Sequence, residues 1–214
     1  MTTFIQIEPV RPQFHQAVAE LMAYGFGHKF RKITSLSTYD LAYVFEQLLK
    51  HLPMEQSNLR VIARQNEEIV GSMCLKWKGS SNRVAITTVR AKSHWWGQCN
   101  RVGMWKRLQL ITVLHLLKHT PKLGECYVED LVVHPQHQGK GIGTQLLQWA
   151  QNYMLQSKSM SFLSLHVASQ NHQAIRLYER YQFHKQYSTN SFLTGLLLGE
   201  NQWHYMIYKG NSYV

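Results

Sequence analysis

The feature that most constrains this chain is a glycine-rich turn between an apolar stretch and a helical pattern, VVHPQHQGKGIGTQLLQWA at residues 132–150. The residues before the turn suit a strand, and Leu146, Leu147 and Ala150 recur after it at helical spacing. The first N–H groups of a helix are unpaired and carry positive partial charge, and glycines let an anion approach them without Cβ obstruction. The segment therefore predicts a strand, an anion-holding turn and a helix.

Glycine spacing excludes two common phosphate-binding turns. A Walker loop needs GxxxxGK followed by Ser or Thr, whereas here Lys140 follows Gly139 and precedes Gly141. A dinucleotide fingerprint needs GxGxxG, but its third glycine would fall on Thr144 or Leu146, depending on the starting glycine. The turn must therefore suit another ligand.

Strand and helix patterns alternate along the rest of the chain. They predict one α/β domain spanning residues 1–214 with a mixed sheet, because no repeat or long linker divides the sequence. The glycine-containing stretch 25–38 is interpreted as a loop. The predicted strands cover 4–10, a hairpin of 59–65 and 69–78, 126–134, 161–168, 183–188 and 202–210, and an amphipathic basic helix covers 101–119.

Composition limits the partners and the compartment. The net charge of +11 attracts polyanions in general, but no RNP pattern or helix-turn-helix accompanies it, so no specific nucleic acid partner is expected. The most apolar segment, 108–117, is too short to span a bilayer, and no secretory signal is evident. The cysteines, Cys74, Cys99 and Cys126, are odd in number and widely spaced, which favours free thiols in the cytoplasm.

The turn does fit the pattern Q-x-x-G-x-G, with Gln138, Gly141 and Gly143 in HQGKGIG. Standing after a strand that ends in His-Pro, it closely resembles the acetyl-CoA-binding motif of the GNAT superfamily of N-acetyltransferases. The family pattern reads Arg/Gln-x-x-Gly-x-Gly/Ala, and this sequence meets it without a gap.

A second segment, NHQAIRLYERYQF, resembles the downstream GNAT pattern N-x-x-A-x-x-(L/F)-Y-x-x-x-G-F. It departs from that pattern at Gln182, where glycine is usual, which puts the turn into the next strand in doubt. The matching positions are Asn171, Ala174, Leu177, Tyr178 and Phe183.

The resemblance covers a core of about 125–185 and implies a single GNAT-like domain. A mixed, largely antiparallel central sheet would be flanked by helices, and the basic helix 101–119 would be an extra insertion before the cofactor-binding strand. The implied cofactor is acetyl-CoA. Its pyrophosphate would lie on Gln138, Gly139, Lys140, Gly141, Ile142, Gly143 and Thr144, its pantetheine arm along Leu131, Val132 and Val133, and Asn171 would contact that arm or cap its helix.

The resemblance also implies catalytic roles. Acyl transfer to an amine needs a neutral nucleophile and a proton for the departing thiolate. Tyr178 is the matched thiolate acid, and a backbone N–H, expected at Val132, would polarise the thioester carbonyl. Glu129 is the chosen base, with Asp130 or a water left open; strand alternation would put Glu129 and Asp130 on opposite faces.

The predicted function is therefore N-acetyl transfer from acetyl-CoA to a primary amine by direct attack, on a small molecule or a peptide. A catalytically inactive CoA-binding sensor or interaction module is the alternative, and a homodimer is left open. No metal is expected, because His134 with His137 and His115 with His119 lack a third ligand nearby in sequence. Residues 94–96, His-Trp-Trp, would either line the acceptor pocket or pack in the core.

Overall fold

The computed structural model describes residues 4–34, 36–51, 57–79 and 103–210. Strands and helices alternate within these ranges. The strands are β1 (Ile5–Pro9), β2 (Asn58–Gln65), β3 (Glu68–Trp77), β4 (Glu125–Val133), β5 (Phe162–Ala168), β6 (His184–Asn190) and β7 (Gln202–Tyr208). The helices are α1 (His15–Thr34), α2 (Thr38–His51), α3 (Met104–Leu116), α4 (Ile142–Leu155), α5 (His172–Arg180) and α6 (Phe192–Leu198).

The seven strands in the described ranges form one sheet in the order β1-β2-β3-β4-β5-β7-β6. Every neighbouring pair is antiparallel except β4 and β5, which run parallel and are joined through α4. The mixed, largely antiparallel sheet is therefore confirmed. The predicted hairpin is β2–β3, and Asn66 turns it with a φ of 55°.

Helices cover both faces of the sheet because its strands are apolar on both sides. Val61 and Ala63 pack with the inner side of α4, while Ile62 between them packs with Val18 and Leu21 of α1. Successive side chains of a strand point to opposite faces, so one continuous apolar run supplies two cores. The result is a helix–sheet–helix arrangement with β4 and β5 near its centre.

The loop predicted at 25–38 is wrong, because α1 continues to Thr34. A Cβ on Gly25 would overlap Cγ2 of Val132, so glycine here lets the helix lie close against β4. The sequence gives no sign of that contact, since Val132 is more than 100 residues away along the chain. Glycine in this helix serves packing rather than a turn.

Of two further helices, α3 was predicted from the sequence and α6 was not. The basic helix predicted at 101–119 corresponds to α3, which ends at Leu116, so His119 lies in the loop that follows. Residues 94–96 and 101–102 lie outside the described ranges. Helix α6, between the two predicted terminal strands, has no counterpart in the sequence interpretation. None of the described helices combines the length and apolar character needed to cross a bilayer.

Candidate functional site

The central feature of the site is a divergence of β4 and β5. Their pairing runs from Glu125 opposite Phe162 to Val128 opposite Leu165 and then stops, although both strands continue. Beyond that point β4 pairs only with β3, and β5 only with β7. Facing strand edges that part in this way leave N–H and C=O groups for a ligand to bind.

A cleft of about 370 Å³ occupies this divergence. Both strands line it, and α5 and the loop after α3 close it from either side. Five of the predicted site residues line the cleft: Glu129, Asp130, Leu131, Asn171 and Tyr178.

The glycine turn, residues 138–144, follows directly from the end of β4. Gly139 and Gly141 have φ angles of 76° and 80°, a conformation that other residues adopt only with strain. An added Cβ on either would meet no protein atom within 4 Å, so the space outside the turn is open to a ligand. Glycine is required here by the backbone and leaves the approach to the amides clear.

Helix α4 begins at Ile142 with Gly141 as its N-cap and without a capping side chain. The first intrahelical bond there is from Gln145 N to Gly141 O, at 3.0 Å. The N–H groups between these residues point out of the helix start, where the dipole favours an anion. The geometry is that of a phosphate site.

Gln138 stabilises the turn, whereas the position of Gly143 has room for a small side chain. The side-chain amide of Gln138 donates to the carbonyl oxygen of Val133 at 3.2 Å, which ties the turn to the strand. A Cβ on Gly143 would lie 3.5 Å from Leu177 and 3.7 Å from Val133, which is ordinary contact. Lys140 is exposed beside the open amides and adds positive charge there.

The pairing of β4 with β3 determines which N–H groups of β4 face the cleft, and these differ from the expected one. The N–H of His134 donates to Val70 of β3 at 2.9 Å, so by antiparallel alternation the N–H of Val132 also points toward β3. The N–H groups of Leu131 and Val133 then point to the open edge. The side chain of Val132 is buried against α1. The expectation that Val132 polarises the thioester is therefore corrected in favour of its two neighbours.

A β-bulge sets the position of Glu129. Cys74 of β3 pairs with Asp130 and Leu75 with Val128, so Glu129 is the extra residue between them. Its carboxylate lies 3.5 Å from Nζ of Lys76 and accepts a hydrogen bond from the Cys74 thiol at 3.6 Å. Strict alternation therefore fails here, and Glu129 and Asp130 both reach the cleft.

Asp130, the reserve base, is fully engaged. Its two carboxylate oxygens accept hydrogen bonds of 2.8 Å and 2.6 Å from the guanidinium of Arg60, whose side chain is only 7% exposed. Arg60 also donates to Ser72 at 3.2 Å. Because the buried guanidinium occupies both oxygens of Asp130, the geometry does not favour Asp130 as the base.

Tyr178 and Asn171 enter the cleft from α5. Burial raises the pKa of Tyr178 to about 12, so the phenol stays protonated and can act as a proton donor. The side chain of Asn171 accepts a hydrogen bond from Ala174 N at 3.2 Å. Asn171 therefore caps the helix, which is one of the two roles predicted for it. Gln182 adopts a φ of 62°, so it takes the left-handed turn conformation that glycine usually fills.

Sequence reasoning missed a buried polar group next to the cleft, where β4 and β5 are still paired. Glu125 is 1% exposed and accepts hydrogen bonds from Tyr205 at 2.8 Å, Ser164 at 2.5 Å and the backbone N–H of Lys122 at 2.6 Å. It also pairs with Nε2 of His119 at 2.9 Å. Burial alone would raise the pKa of Glu125, but these bonds, led by His119, lower it to about 2.

Tyr127 and His166 lie beside this group, where β4 and β5 begin to diverge. The Tyr127 hydroxyl lies 3.2 Å from Nδ1 of His166, and the ring of His119 lies 4.3 Å from that of Tyr127. Burial, followed by the neighbouring His119, lowers the pKa of His166 to about 4, although Glu125 opposes the shift. The sequence signal was weak: a histidine within the apolar strand SFLSLHVA.

The structure also gives His134 and His137 the third neighbour that the sequence lacked. Glu68, from the start of β3, offers a carboxylate oxygen that lies with one nitrogen of each histidine inside 4.8 Å. The nearest pair, Glu68 and Nε2 of His137, is 3.5 Å apart. The metal argument from the sequence did not include Glu68, because Glu68 is distant from both histidines along the chain.

Comparison with known proteins supports the motif-based interpretation. Residues 107–183 match the model of the acetyltransferase (GNAT) family. This match includes the glycine turn, Tyr178 and both strands of the cleft. No protein of curated function matches the sequence significantly.

Solved structures with the same fold cover nearly the whole chain. Arabidopsis thaliana NAA60 in complex with a bisubstrate analogue is 17% identical, with a TM-score of 0.59 over 96% of this chain and 98% of its own. The structure of the same protein in complex with acetyl-CoA is 17% identical, with a TM-score of 0.59 over 97% of this chain and 99% of its own. Mutant forms of the spermidine/spermine N-acetyltransferase SpeG from Vibrio cholerae are 14% identical, with a TM-score of 0.57 over 98% of this chain and 95% of their own. At these identities the likeness establishes the fold.

Proposed function

Since this chain belongs to the GNAT superfamily of acetyltransferases, we propose that it transfers an acetyl group from acetyl-CoA to a primary amine by direct attack. The observation that carries this proposal is the glycine turn, whose uncapped amides continue from a strand edge left open beside Tyr178. A phosphate site, an edge for an extended arm and a proton donor are thus arranged in the order that acetyl-CoA requires.

In the proposed complex the pyrophosphate accepts hydrogen bonds from the amides at the start of α4, beginning with Ile142, Gly143 and Thr144. Lys140 adds charge at the surface. The pantetheine arm pairs with the open edge of β4 through Leu131 and Val133, as an added strand would. The structure of NAA60 with acetyl-CoA supports this cofactor for a protein of the same fold.

The proposed chemistry needs no covalent intermediate on the protein. The amine lone pair attacks the acetyl carbonyl carbon, and the C–S bond breaks with its electron pair left on sulfur. Tyr178 gives its phenolic proton to that sulfur, and the amine nitrogen loses a proton to a base. We propose Glu129 for this second role; its carboxylate also interacts with Lys76 and the Cys74 thiol.

The acceptor proposed is a small-molecule or peptide amine with few positive charges. Among the described residues, the two acidic residues that line the cleft are already paired, Glu129 with Lys76 and Asp130 with Arg60. A polyamine needs several unpaired carboxylates for its ammonium groups, which this arrangement does not supply. A substrate with a single amine therefore fits the cleft better than spermidine does.

The alternative proposal is a CoA-binding module without catalysis. It shares the glycine turn and the strand edge, so those features do not discriminate. The protonated Tyr178 in the cleft favours an enzyme, because a binding module has no need for a buried phenol at the sulfur position.

Two measurements test the proposed function in sequence. Calorimetric titration with acetyl-CoA should give saturable binding, and thiol release should follow when amines are added one at a time. Binding without thiol release from a broad panel of amines, including peptides with free N-termini, would support the module. Absence of binding would remove both proposals.

A further inference from the structure

The loop between β4 and the glycine turn brings two histidines beside the start of β3. His134 and His137 flank one 3₁₀ turn, which a hydrogen bond of 2.8 Å from His137 N to His134 O closes. Side chains three residues apart in such a turn lie on the same side of it. The N–H of His134 also donates at 2.9 Å to the carbonyl of Val70, two residues after Glu68. Backbone hydrogen bonds therefore hold Glu68 and both histidines in one place.

The distances in this group suit a shared ion better than a hydrogen bond. One carboxylate oxygen of Glu68 and one nitrogen of each histidine all lie within 4.8 Å of one another, and Glu68 is 3.5 Å from Nε2 of His137. A direct N–H···O bond is usually about 2.7–3.2 Å long. Two ligands of one tetrahedral zinc ion, each about 2.0–2.1 Å from the metal, lie roughly 3.3 Å apart. Side-chain rotation alone is needed to bring the three atoms round one ion.

Both rings have a nitrogen available for a metal. Nδ1 of His137 is buried and has no hydrogen-bond partner among the described residues, so this nitrogen can carry the ring proton while Nε2 faces Glu68. Either nitrogen of His134 can serve as a ligand. The cost is the single bond of 3.3 Å that its Nδ1 accepts from Gln136 N, which is longer than usual.

The donor set and its charge indicate which ion the group would take. Two imidazole nitrogens and one carboxylate oxygen are ligands that zinc accepts, whereas calcium and magnesium prefer oxygen ligands throughout. Within the described ranges, no lysine or arginine forms an ion pair with Glu68, so its negative charge is available to a cation. The 57% exposure of the Glu68 side chain leaves the group open to solvent, from which an ion and a fourth, water ligand can enter.

We propose that Glu68, His134 and His137 bind one Zn²⁺ ion, with a water molecule as the fourth ligand. The sequence argument against a metal depended on the lack of a third ligand near the histidines, and the fold supplies that neighbour. None of the three residues lines the cleft, so the ion has no part in acetyl transfer and the inference does not rest on the proposed function. The ion would tie the loop that leads into the glycine turn at Gln138 to the start of β3.

The test is calorimetric titration of untagged, full-length protein with ZnCl₂, after chelation of any bound metal and in a buffer that does not bind zinc. Wild type should bind one zinc ion per chain. Glu68→Gln and His137→Ala should each weaken binding by about 100-fold or more, because loss of a ligand should exceed the roughly 10- to 100-fold that loss of a ligand's outer partner costs. At about 100 times its Kd, zinc should raise the Tm of wild type by roughly 5–10 °C, and the same concentration should leave that of Glu68→Gln nearly unchanged.

Matched controls separate this site from the other zinc-binding groups of the chain. Glu67→Gln changes the preceding carboxylate, which is 98% exposed, and His172→Ala removes an exposed histidine at the start of α5. Both should keep the wild-type affinity for zinc. Glu68→Gln alters an exposed side chain, so it tests the site even where His137→Ala fails to fold. Absence of saturable zinc binding to wild type would overturn the inference. Wild-type affinity in Glu68→Gln would also overturn it, since cysteine thiols or scattered histidines would then hold the ion.

Discussion

The two ends of the cleft are built in different ways. At the cofactor end, a short contiguous segment presents backbone amides, and side chains contribute little beyond the Gln138 bond to Val133. The other end is called the acceptor end, because the amine is proposed to bind there. Its polar group around Glu125 is assembled from β4, β5, β7 and the loop after α3. One end depends on glycine conformation and the other on buried charge, so mutation and pH should affect them differently.

The largest expected effect is on stability at the acceptor end. Glu125 has an ordinary pKa near 4.5 and a folded value of about 2. Because the folded value is lower, its contribution of roughly 3 kcal/mol is complete above pH 4.5 and is lost as pH falls toward 2. Glu125→Gln should remove this contribution and lower Tm by about 6–12 °C at pH 7.

Thermal unfolding of this variant between pH 3 and 7 measures the effect. The control is Glu67→Gln, whose carboxylate is 98% exposed and should leave Tm within about 1 °C. An equal Tm for Glu125→Gln and wild type at pH 7 would mean that the carboxylate is not held as described.

At the cofactor end, Gly141→Asp should weaken acetyl-CoA binding by about 100-fold or more, since it places an anion where the phosphate lies and strains a backbone with φ of 80°. Calorimetric titration gives the ratio of Kd values. Gln148→Glu adds the same charge on the exposed side of α4 and should bind normally. Equal affinities in the two variants would contradict the phosphate site.

Tyr178 lines the cleft, and its substitution tests whether the two ends act in one reaction. Tyr178→Phe should lower kcat by roughly 10- to 100-fold through loss of the proton for sulfur, with little change in the Kd for acetyl-CoA. Steady-state thiol release and calorimetry separate the two quantities. Tyr181→Phe, at the C-cap of the same helix, is the control. A full wild-type kcat in Tyr178→Phe would exclude the acid role.

The smallest expected effect concerns the turn after α5. Gln182 occupies a left-handed conformation that costs a non-glycine residue about 1–2 kcal/mol, whereas glycine loses about 0.5–1 kcal/mol through its greater flexibility in the unfolded chain. Gln182→Gly should therefore raise the free energy of unfolding by about 0.5–1 kcal/mol. Urea unfolding measures this, with Gln186→Gly in the exposed strand β6 expected to destabilise instead.

The failed predictions share a cause. The loop expected at 25–38 is helical because Gly25 serves a contact with Val132, and the alternation expected in β4 fails because a bulge absorbs Glu129. Glu68 beside His137, Arg60 on Asp130 and His119 on Glu125 are likewise pairs of residues remote in sequence or in different elements. Patterns of spacing do not report such contacts, because each depends on how separate elements pack or pair in the tertiary structure.

What the sequence determined by itself is local: the order of the strands, the β2–β3 hairpin, the glycine turn and the position of Tyr178 on its helix. These follow from backbone conformation and periodicity, which act over a few residues. The tertiary structure alone decided where β4 and β5 separate and which side chains meet there. Those outcomes depend on strand pairing and burial, which act between residues far apart in the sequence. The pairing of Asp130 with Arg60 and the contact of Tyr127 with His166 at the cleft are two examples.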